Sequence, residues 1–271
     1  TRGRRLGKTI RFGVREHAMA SIQNGILLHG GFRTFAATLF VFIDYMRPAM
    51  RLAALMKIPA IYVLTHDSIY LGGDGPTHQP IEHLNSLRII PNMRVFRPAG
   101  PEEAVECWKI ALERTDGPTC LVMSRQGLTL HATLDDHRRE KMRRLGAYRL
   151  RDPEGEADVT VLATGSEVDL AVEAAESLKA INVRIVSVPS REMLAAAPTA
   201  ERTALIGDKV PVVAVEAGSR CGWERFTGGD PDRVLGIDSF GESGRGDEVA
   251  AHLGLTAERL AEIVRTAATE G

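Results

Sequence analysis

Ala60-Ile61-Tyr62-Val63-Leu64, followed at once by Thr65-His66-Asp67-Ser68 and then by Gly72-Gly73-Asp74-Gly75-Pro76-Thr77-His78-Gln79-Pro80, is the stretch that decides the fold. A short apolar run bounded by polar residues reads as a strand buried on both faces, the form strands take in a parallel sheet covered by helices. Similar β-branched runs recur at Arg94 to Phe96, Thr119 to Met123, Val159 to Ala163, Val183 to Val188, Val210 to Val215 and Val234 to Ile237. Helical period fills the gaps. Pro101 to Arg114 places Ala104, Val105, Trp108, Ala111 and Leu112 on one face, with Glu102 and Glu103 in the first turn, where the helix dipole favours acids. Comparable faces lie at Val168, Ala171, Val172 and Ala175, and at Leu260, Ile263, Val264 and Ala267. This alternation predicts an α/β fold with mostly parallel sheets flanked by helices.

The chain has 271 residues, 44% hydrophobic and 25% charged, enough apolar material for two domains. Lys and Arg total 34 against 35 Asp and Glu, so no net field draws the chain to nucleic acid or to an anionic membrane. Cys107, Cys120 and Cys221 form no C-x-x-C pair, which fits a reducing cytoplasm better than a disulfide framework. The apolar stretch around Ile58 to Leu64 is far below the roughly 20 residues of a membrane span. The basic start Arg2 to Arg5 lacks the apolar region of a secretory signal, and Thr1 in place of Met suggests a longer polypeptide.

Between Leu130 and Gly146 the strand and helix signals stop, and His137 to Arg144 reads as a charged, solvated crossover. The expected organisation is a first domain over 1–129, a linker over 130–146 and a second domain over 147–271. The crossover interleaves acids with its bases and has no aromatic residues for stacking, which argues against nucleic acid.

Ligands of open α/β sheets bind at the carboxyl ends of strands, so the loop after Leu64 is where a site is expected. His66, Asp74 and His78 make it a polar pocket, against the plainer reading of a turn-rich loop with solvated histidines. A metal bound by His66, Asp74, His78 and His83 is disfavoured, because no pair has a closed structural-zinc spacing and no cysteine lies nearby. Glu16, in Gly13-Val14-Arg15-Glu16-His17-Ala18-Met19, opens a helix; it is either a dipole partner or a buried acid that handles a proton, and pattern alone does not choose. The window Phe35 to Tyr45 holds Phe35, Phe40, Phe42 and Tyr45, a core cluster or a stacking wall. Arg125, in Ser124-Arg125-Gln126, ends a strand where a guanidinium suits a phosphate, a surface ion pair being the plainer reading.

Together these segments resemble transketolase. Val14 to Met19, Asn24-Gly25-Ile26 with His29-Gly30-Gly31-Phe32, Thr65 to Ile69, Asp74 to Pro80, Ser124 to Gln126 and Ala163-Thr164-Gly165-Ser166-Glu167-Val168 carry the resemblance over nearly the whole chain. It implies a thiamine-diphosphate-binding fold followed by a transketolase C-terminal domain. It implies transfer of a two-carbon ketol unit from a ketose phosphate to an aldose phosphate, in the pentose phosphate pathway. Glu16 matches the glutamate that hydrogen-bonds N1′ of the cofactor aminopyrimidine and favours the tautomer whose N4′ takes the thiazolium C2 proton. Phe42 matches the ring that stacks on the pyrimidine, with Tyr45 beside it. His66 and Arg125 match residues gripping the substrate phosphate, Asp74 one holding a hydroxyl, and His78 one beside the reacting carbonyl. Gly165-Ser166-Glu167 has the form of a strand-to-helix turn with an anion nest, in a domain the family uses mainly for packing.

Two positions depart from the family: Leu39 stands where a further pocket phenylalanine is common, and Gly127 follows Gln126 in place of Asn. The resemblance places the diphosphate and its Mg2+ (or Ca2+) on a first domain for which this chain has no counterpart, so no metal ligand is assigned here. The implied partners are sugar phosphates and either a second copy in a homodimer or a diphosphate-binding subunit, and the chain alone is expected to be inactive. Dihydroxyacetone synthase, deoxyxylulose-phosphate synthase and a noncatalytic association module are the alternatives; paired His66 and His78 with Pro76 favour transketolase over deoxyxylulose-phosphate synthase.

Overall fold

The computed structural model describes residues 8–131 and 133–270. The basic start Arg2 to Arg5 and Thr1 lie outside the described residues. The first unit runs α1 (Glu16–His29), β1 (Phe35–Leu39), α2 (Ile43–Leu55), β2 (Ile61–Thr65), α3 (His83–Arg88), β3 (Arg94–Phe96), α4 (Pro101–Glu113) and β4 (Thr119–Met123). Its strands form a fully parallel sheet in the order β1-β2-β4-β3. The second unit follows with α5 (Asp136–Leu145), β5 (Tyr148–Arg151), β6 (Val159–Ala163), α6 (Glu167–Ser177), β7 (Val183–Ser187), α7 (Arg191–Ala196), α8 (Thr199–Ile206), β8 (Val212–Val215), β9 (Val234–Leu235), α9 (Gly246–His252) and α10 (Ala257–Glu270). Its sheet runs β5-β7-β6-β8-β9, parallel except for β5.

Side-chain alternation along the strands sorts the core into layers. On β2, Ile61 points one way and Tyr62 and Leu64 the other, where they meet Phe40, Ile43, Met46 and Met50 from the turn and helix after β1. The opposite face of that sheet, Ile61, Phe96 and Leu121 with Cys107 and Ile110 of α4, continues into Val161, Ala163, Val213 and Val215 of the second sheet. One apolar layer therefore joins the two units, and Leu162, Val186, Leu194 and Trp223 form a third layer beyond it. All five residues of β6 are buried, as expected for a central parallel strand.

The seven expected strands all form, and two further ones appear. β1 lies inside the window read as an aromatic cluster, and β5 is an edge strand whose Tyr-Arg-Leu-Arg alternates between buried and open sides. The silent stretch 130–146 also differs from expectation. Asp135 caps α5 by accepting from the Arg138 backbone N–H at 2.7 Å, Gly146 ends it in the left-handed region, and Met142 and Leu145 are buried. Its arginines are not a solvated run: Arg143 pairs with Glu106 and, at 2.6 Å, with Glu113 of α4. The charges that hid the helix in sequence are what fasten it to the first unit.

Candidate active site

Strand register puts Leu39 opposite Thr65 and Thr65 opposite Met123, so β1, β2 and β4 end in one row. The residues just beyond that row are Phe42, His66 and Arg125, on strands spaced about 4.8 Å apart. α1 delivers Glu16 to the same edge. The Gln23 amide donates to the carbonyls of Thr34 at 3.2 Å and Ile61 at 3.0 Å, which fixes that part of α1 at the amino end of β1 and β2. Glu16 lies seven residues earlier, about 10 Å along the axis toward the carboxyl edge.

The loop after β2 turns back across this edge. Phe42 touches Tyr45 with ring centroids 6.3 Å apart, and stands edge-on to His78 at 5.5 Å. The structure thus brings the expected stacking wall and the expected carbonyl-side histidine into one cluster. His66 and His78 are oriented by the same device: Nδ1 of His66 lies 2.9 Å from Thr65 Oγ1, and Nδ1 of His78 lies 3.0 Å from Thr77 Oγ1. Each pairing leaves Nε2 for a ligand. Among the described residues, no side-chain hydrogen bond or ion pair engages Glu16, Asp74 or Arg125, so the surface ion pair considered for Arg125 does not form. Leu39 is half-buried at the end of β1.

The loop is seated on the second unit. Gln79 is buried, and its amide donates to Gly72 O at 3.0 Å and to Glu242 O at 2.9 Å. Gly75 has φ 76°, and a Cβ there would come within 2.3 Å of Ser243 Oγ, so only glycine gives this approach. The second contact is electrostatic. Arg97, directly after β3, is fully buried against Asp67 of the loop and Glu167, Ser166 and the Thr164 carbonyl of the second unit. Burial alone would lower the Arg97 pKa, but Glu167 and Asp67 raise it and hold the guanidinium charged. Burial pushes the Glu167 carboxyl up even with Arg97 beside it, as expected where two acids share one cation. The turn Gly165-Ser166-Glu167 is accordingly no anion nest: it closes on a guanidinium.

A second buried network lies nearby. Glu216 takes both Arg88 nitrogens at 2.7 and 2.8 Å and the Trp223 indole N–H at 2.7 Å, and Arg191 stacks 5.5 Å from the Trp223 ring centre. Against the burial that would raise it, Arg88 holds the Glu216 carboxyl down at about 2. The cation candidates fall differently from expectation. Asp44, Glu82 and His83 bring one ligand atom each within 4.8 Å of one another, while His66, Asp74 and His78 do not join them. His83 pairs with Asp44 through Nε2 at 3.2 Å, while its buried Nδ1 lies 3.7 Å from Glu82 and makes no hydrogen bond. A cavity of about 530 Å3 sits against α10, lined by Arg220, Arg233, Arg259, Glu262 and Glu270. Four of these five side chains pair within the cavity, Arg259 with Glu262 at 2.8 Å and Arg233 with Glu270 at 3.0 Å, and it gathers none of the residues above.

Sequence reasoning missed Thr65, Thr77, Asp67, Gln79 and Arg97 as supports of the site. The threonine before each histidine was a readable signal; the Arg97 contacts, spanning up to 70 positions, were not.

The family described as transketolase, pyrimidine binding domain, matches residues 3–130, and the transketolase-like C-terminal domain matches residues 146–256. The transketolase of Sinorhizobium medicae is 47% identical over 271 aligned residues, which cover 97% of this chain and 38% of that protein. The structure of transketolase from Pichia stipitis in complex with sedoheptulose 7-phosphate superposes with a TM-score of 0.87 at 37% identity, over 96% of this chain and 38% of that one. A split gene transketolase, solved as an inactive beta4 tetramer, superposes with a TM-score of 0.72 at 25% identity, over 96% of this chain and 83% of that one. The chain spans about two fifths of the length of the curated relatives it matches.

Proposed function

The chain belongs to the transketolase family, and from that premise we propose that it supplies the pyrimidine half of a thiamine-diphosphate site that moves two-carbon ketol units between sugar phosphates. The observation that carries this reading is the convergence of Glu16, Phe42, His78, His66 and Arg125 on one carboxyl edge, set by the shared row Leu39–Thr65–Met123. The residues fit the group: an acid at a helix start without a side-chain partner suits a ring nitrogen that must hold a proton, and Phe42 with Tyr45 offers flat apolar area. When bound, thiamine diphosphate supplies the carbon nucleophile.

Around it the chain's own residues divide the work. Glu16 holds a proton at the aminopyrimidine N1′, and Phe42 and Tyr45 fix the ring plane and exclude water. Arg125 and His66 take the sugar phosphate, Arg125 through paired N–H donors. Asp74 accepts from a substrate hydroxyl. His78, with Nδ1 engaged by Thr77, presents Nε2 to the reacting oxygen and moves its proton.

The family resemblance implies that the diphosphate and its Mg2+ (or Ca2+) are held by another domain or polypeptide, while this edge offers the cofactor rings a wall. The full site forms in a dimer or in a complex with such a subunit, acts in the pentose phosphate pathway and works in the cytoplasm. Support comes from the split gene neighbour and from Val14, Ile22, Leu28, Phe32, Tyr45 and Leu52, large apolar side chains left exposed on the first unit. No helix among the described residues is long and apolar enough to cross a membrane.

The test is reconstitution. Mixed with a polypeptide carrying the diphosphate-binding domain, thiamine diphosphate and Mg2+, the chain is expected to transfer ketol units from a ketose phosphate to an aldose phosphate, and to be silent alone. Glu16→Ala is expected to lower kcat about 10²–10⁴-fold while the complex still elutes at the same size. Full turnover in that variant would sink the assignment.

A further inference from the structure

His66 has φ 64°, a left-handed backbone that is strained for a non-glycine residue and persists where its surroundings enforce it. On one side it is held by Thr65, paired into the sheet between β1 and β4. On the other it is held by Asp67, whose carboxylate is spent: Oδ1 accepts from Ser68 Oγ at 3.2 Å, and Oδ2 accepts from Arg97 Nε at 2.9 Å. Arg97 Nη2 lies 2.8 Å from the same oxygen. The rest of the guanidinium is fixed by the second unit, through Thr164 O at 2.9 Å, Ser166 Oγ at 3.3 Å and Glu167. That turn is shaped to the guanidinium, since a Cβ on Gly165 would come 2.7 Å from Arg97 Cζ.

Burying such a cluster gains little stability, because desolvation offsets the attraction and apolar replacements of buried ion sets are often as stable or more so. What the cluster does supply is direction: it ties the residue after His66 to a rigid turn 100 positions away in sequence. We propose that Arg97, acting through Asp67 and anchored by the Thr164–Glu167 turn, is a positioning residue for His66 and so for recognition of the sugar phosphate. The second unit thereby sets substrate geometry as well as packing. The inference rests on the reading of His66 as a phosphate-binding group.

Asp67→Ala is the informative variant, because Arg97 keeps Glu167 and the fold keeps a paired guanidinium; Asp67→Asn restores the acceptor. In the reconstituted enzyme, Asp67→Ala is expected to raise KM for a ketose phosphate about tenfold, with kcat/KM for the same ketose lacking its phosphate held within about twofold. Asp67→Asn is expected to recover most of that loss. Equal losses on both ketoses would reduce the cluster to a structural role, and no loss on either would remove the positioning role. A second readout needs no turnover: in the labelled full chain, the His66 Cα and Cβ chemical shifts are expected to leave their left-handed values in Asp67→Ala and to keep them in Asp67→Asn. Unmoved shifts would overturn the inference whatever the kinetics show. If the unaltered assembly transfers no ketol unit, the functional reading fails, and the shifts alone still decide whether Arg97 and Asp67 position His66.

Discussion

The carboxyl edge of the first sheet and the seam that joins it to the second unit are built from the same residue types in opposite states. At the edge, Glu16, Asp74 and Arg125 have no side-chain partner among the described residues, and Asp74 and Arg125 are exposed. In the seam, Asp67, Arg97, Glu167 and Glu216 are all within 1% of full burial, and each is matched by an opposite charge. A buried charge left without an opposite charge is costly, so the seam fixes geometry. A half-exposed charge tolerates vacancy, so the edge can wait for a ligand. Substitutions on the two sides should therefore fail in different currencies.

The largest contrast is between Glu216→Ala and Glu16→Ala. Removing Glu216 strands Arg88 and the Trp223 N–H in the interior, and is expected to cost about 3–5 kcal/mol in urea unfolding. Removing Glu16 is expected to cost within about 1 kcal/mol, the scale of a helix-start acid, while lowering kcat for ketol transfer in the assembly about 10²–10⁴-fold. Comparable stability losses would show that Glu16 is a structural acid and would erase the distinction between edge and seam.

Acid should separate the regions next. Burial raises the Glu216 carboxyl, but Arg88 overrides it and brings it from 4.5 to about 2. A folded value below the unfolded one means that the stabilisation is complete above pH 4.5 and drains away as pH falls toward 2. The drop corresponds to roughly 3 kcal/mol at about 1.4 kcal/mol per pH decade. Urea midpoints of the unaltered chain should fall through that window, and Glu216→Gln, which has no charge to lose, should remove most of the slope. An unchanged slope would assign acid lability to other carboxylates.

The same contrast explains what the sequence disclosed. β6 and β7 were legible because β-branched residues cluster in them, Val159, Thr160 and Val161 in one and Val183, Ile185 and Val186 in the other. β1 was not, because Phe-Ala-Ala-Thr-Leu at a sheet edge leaves Phe35 and Ala37 exposed and reads as an aromatic cluster. α5 was hidden by its arginines, although Asp135 and Gly146 marked its ends. Edge residues stood out because unpaired polar groups after a strand are conspicuous locally. Seam residues did not, because Arg97 acquires meaning only when Asp67 and Glu167, 30 and 70 positions away, fold against it.

Phe42 offers a finer test of the edge. It is half-buried, so Phe42→Leu should cost about 1 kcal/mol or less in stability. The loss of a stacking face should show instead as an approximately tenfold weaker apparent affinity of the assembly for thiamine diphosphate, with kcat less affected. Unchanged cofactor affinity would return Phe42 to the core.

The smallest effect expected comes from the seam itself, at a group that has a spare partner. Glu103 of α4 is buried, and burial raises its carboxyl pKa. Its Oε1 accepts from Tyr148 Oη at 2.8 Å and from Ser187 Oγ at 2.6 Å, while Oε2 accepts from the Ala99 N–H at 2.7 Å. Tyr148→Phe therefore deletes one of two donors to the same oxygen and leaves no buried atom bare, so urea unfolding should register about 1 kcal/mol. Ser187→Ala should cost a similar amount. The double variant bares Oε1 and should cost more than the sum, by about 0.5 kcal/mol or more of coupling. Simple additivity would mean that Glu103 satisfies that oxygen some other way, and that complete pairing is less strict in the seam than its ion clusters imply.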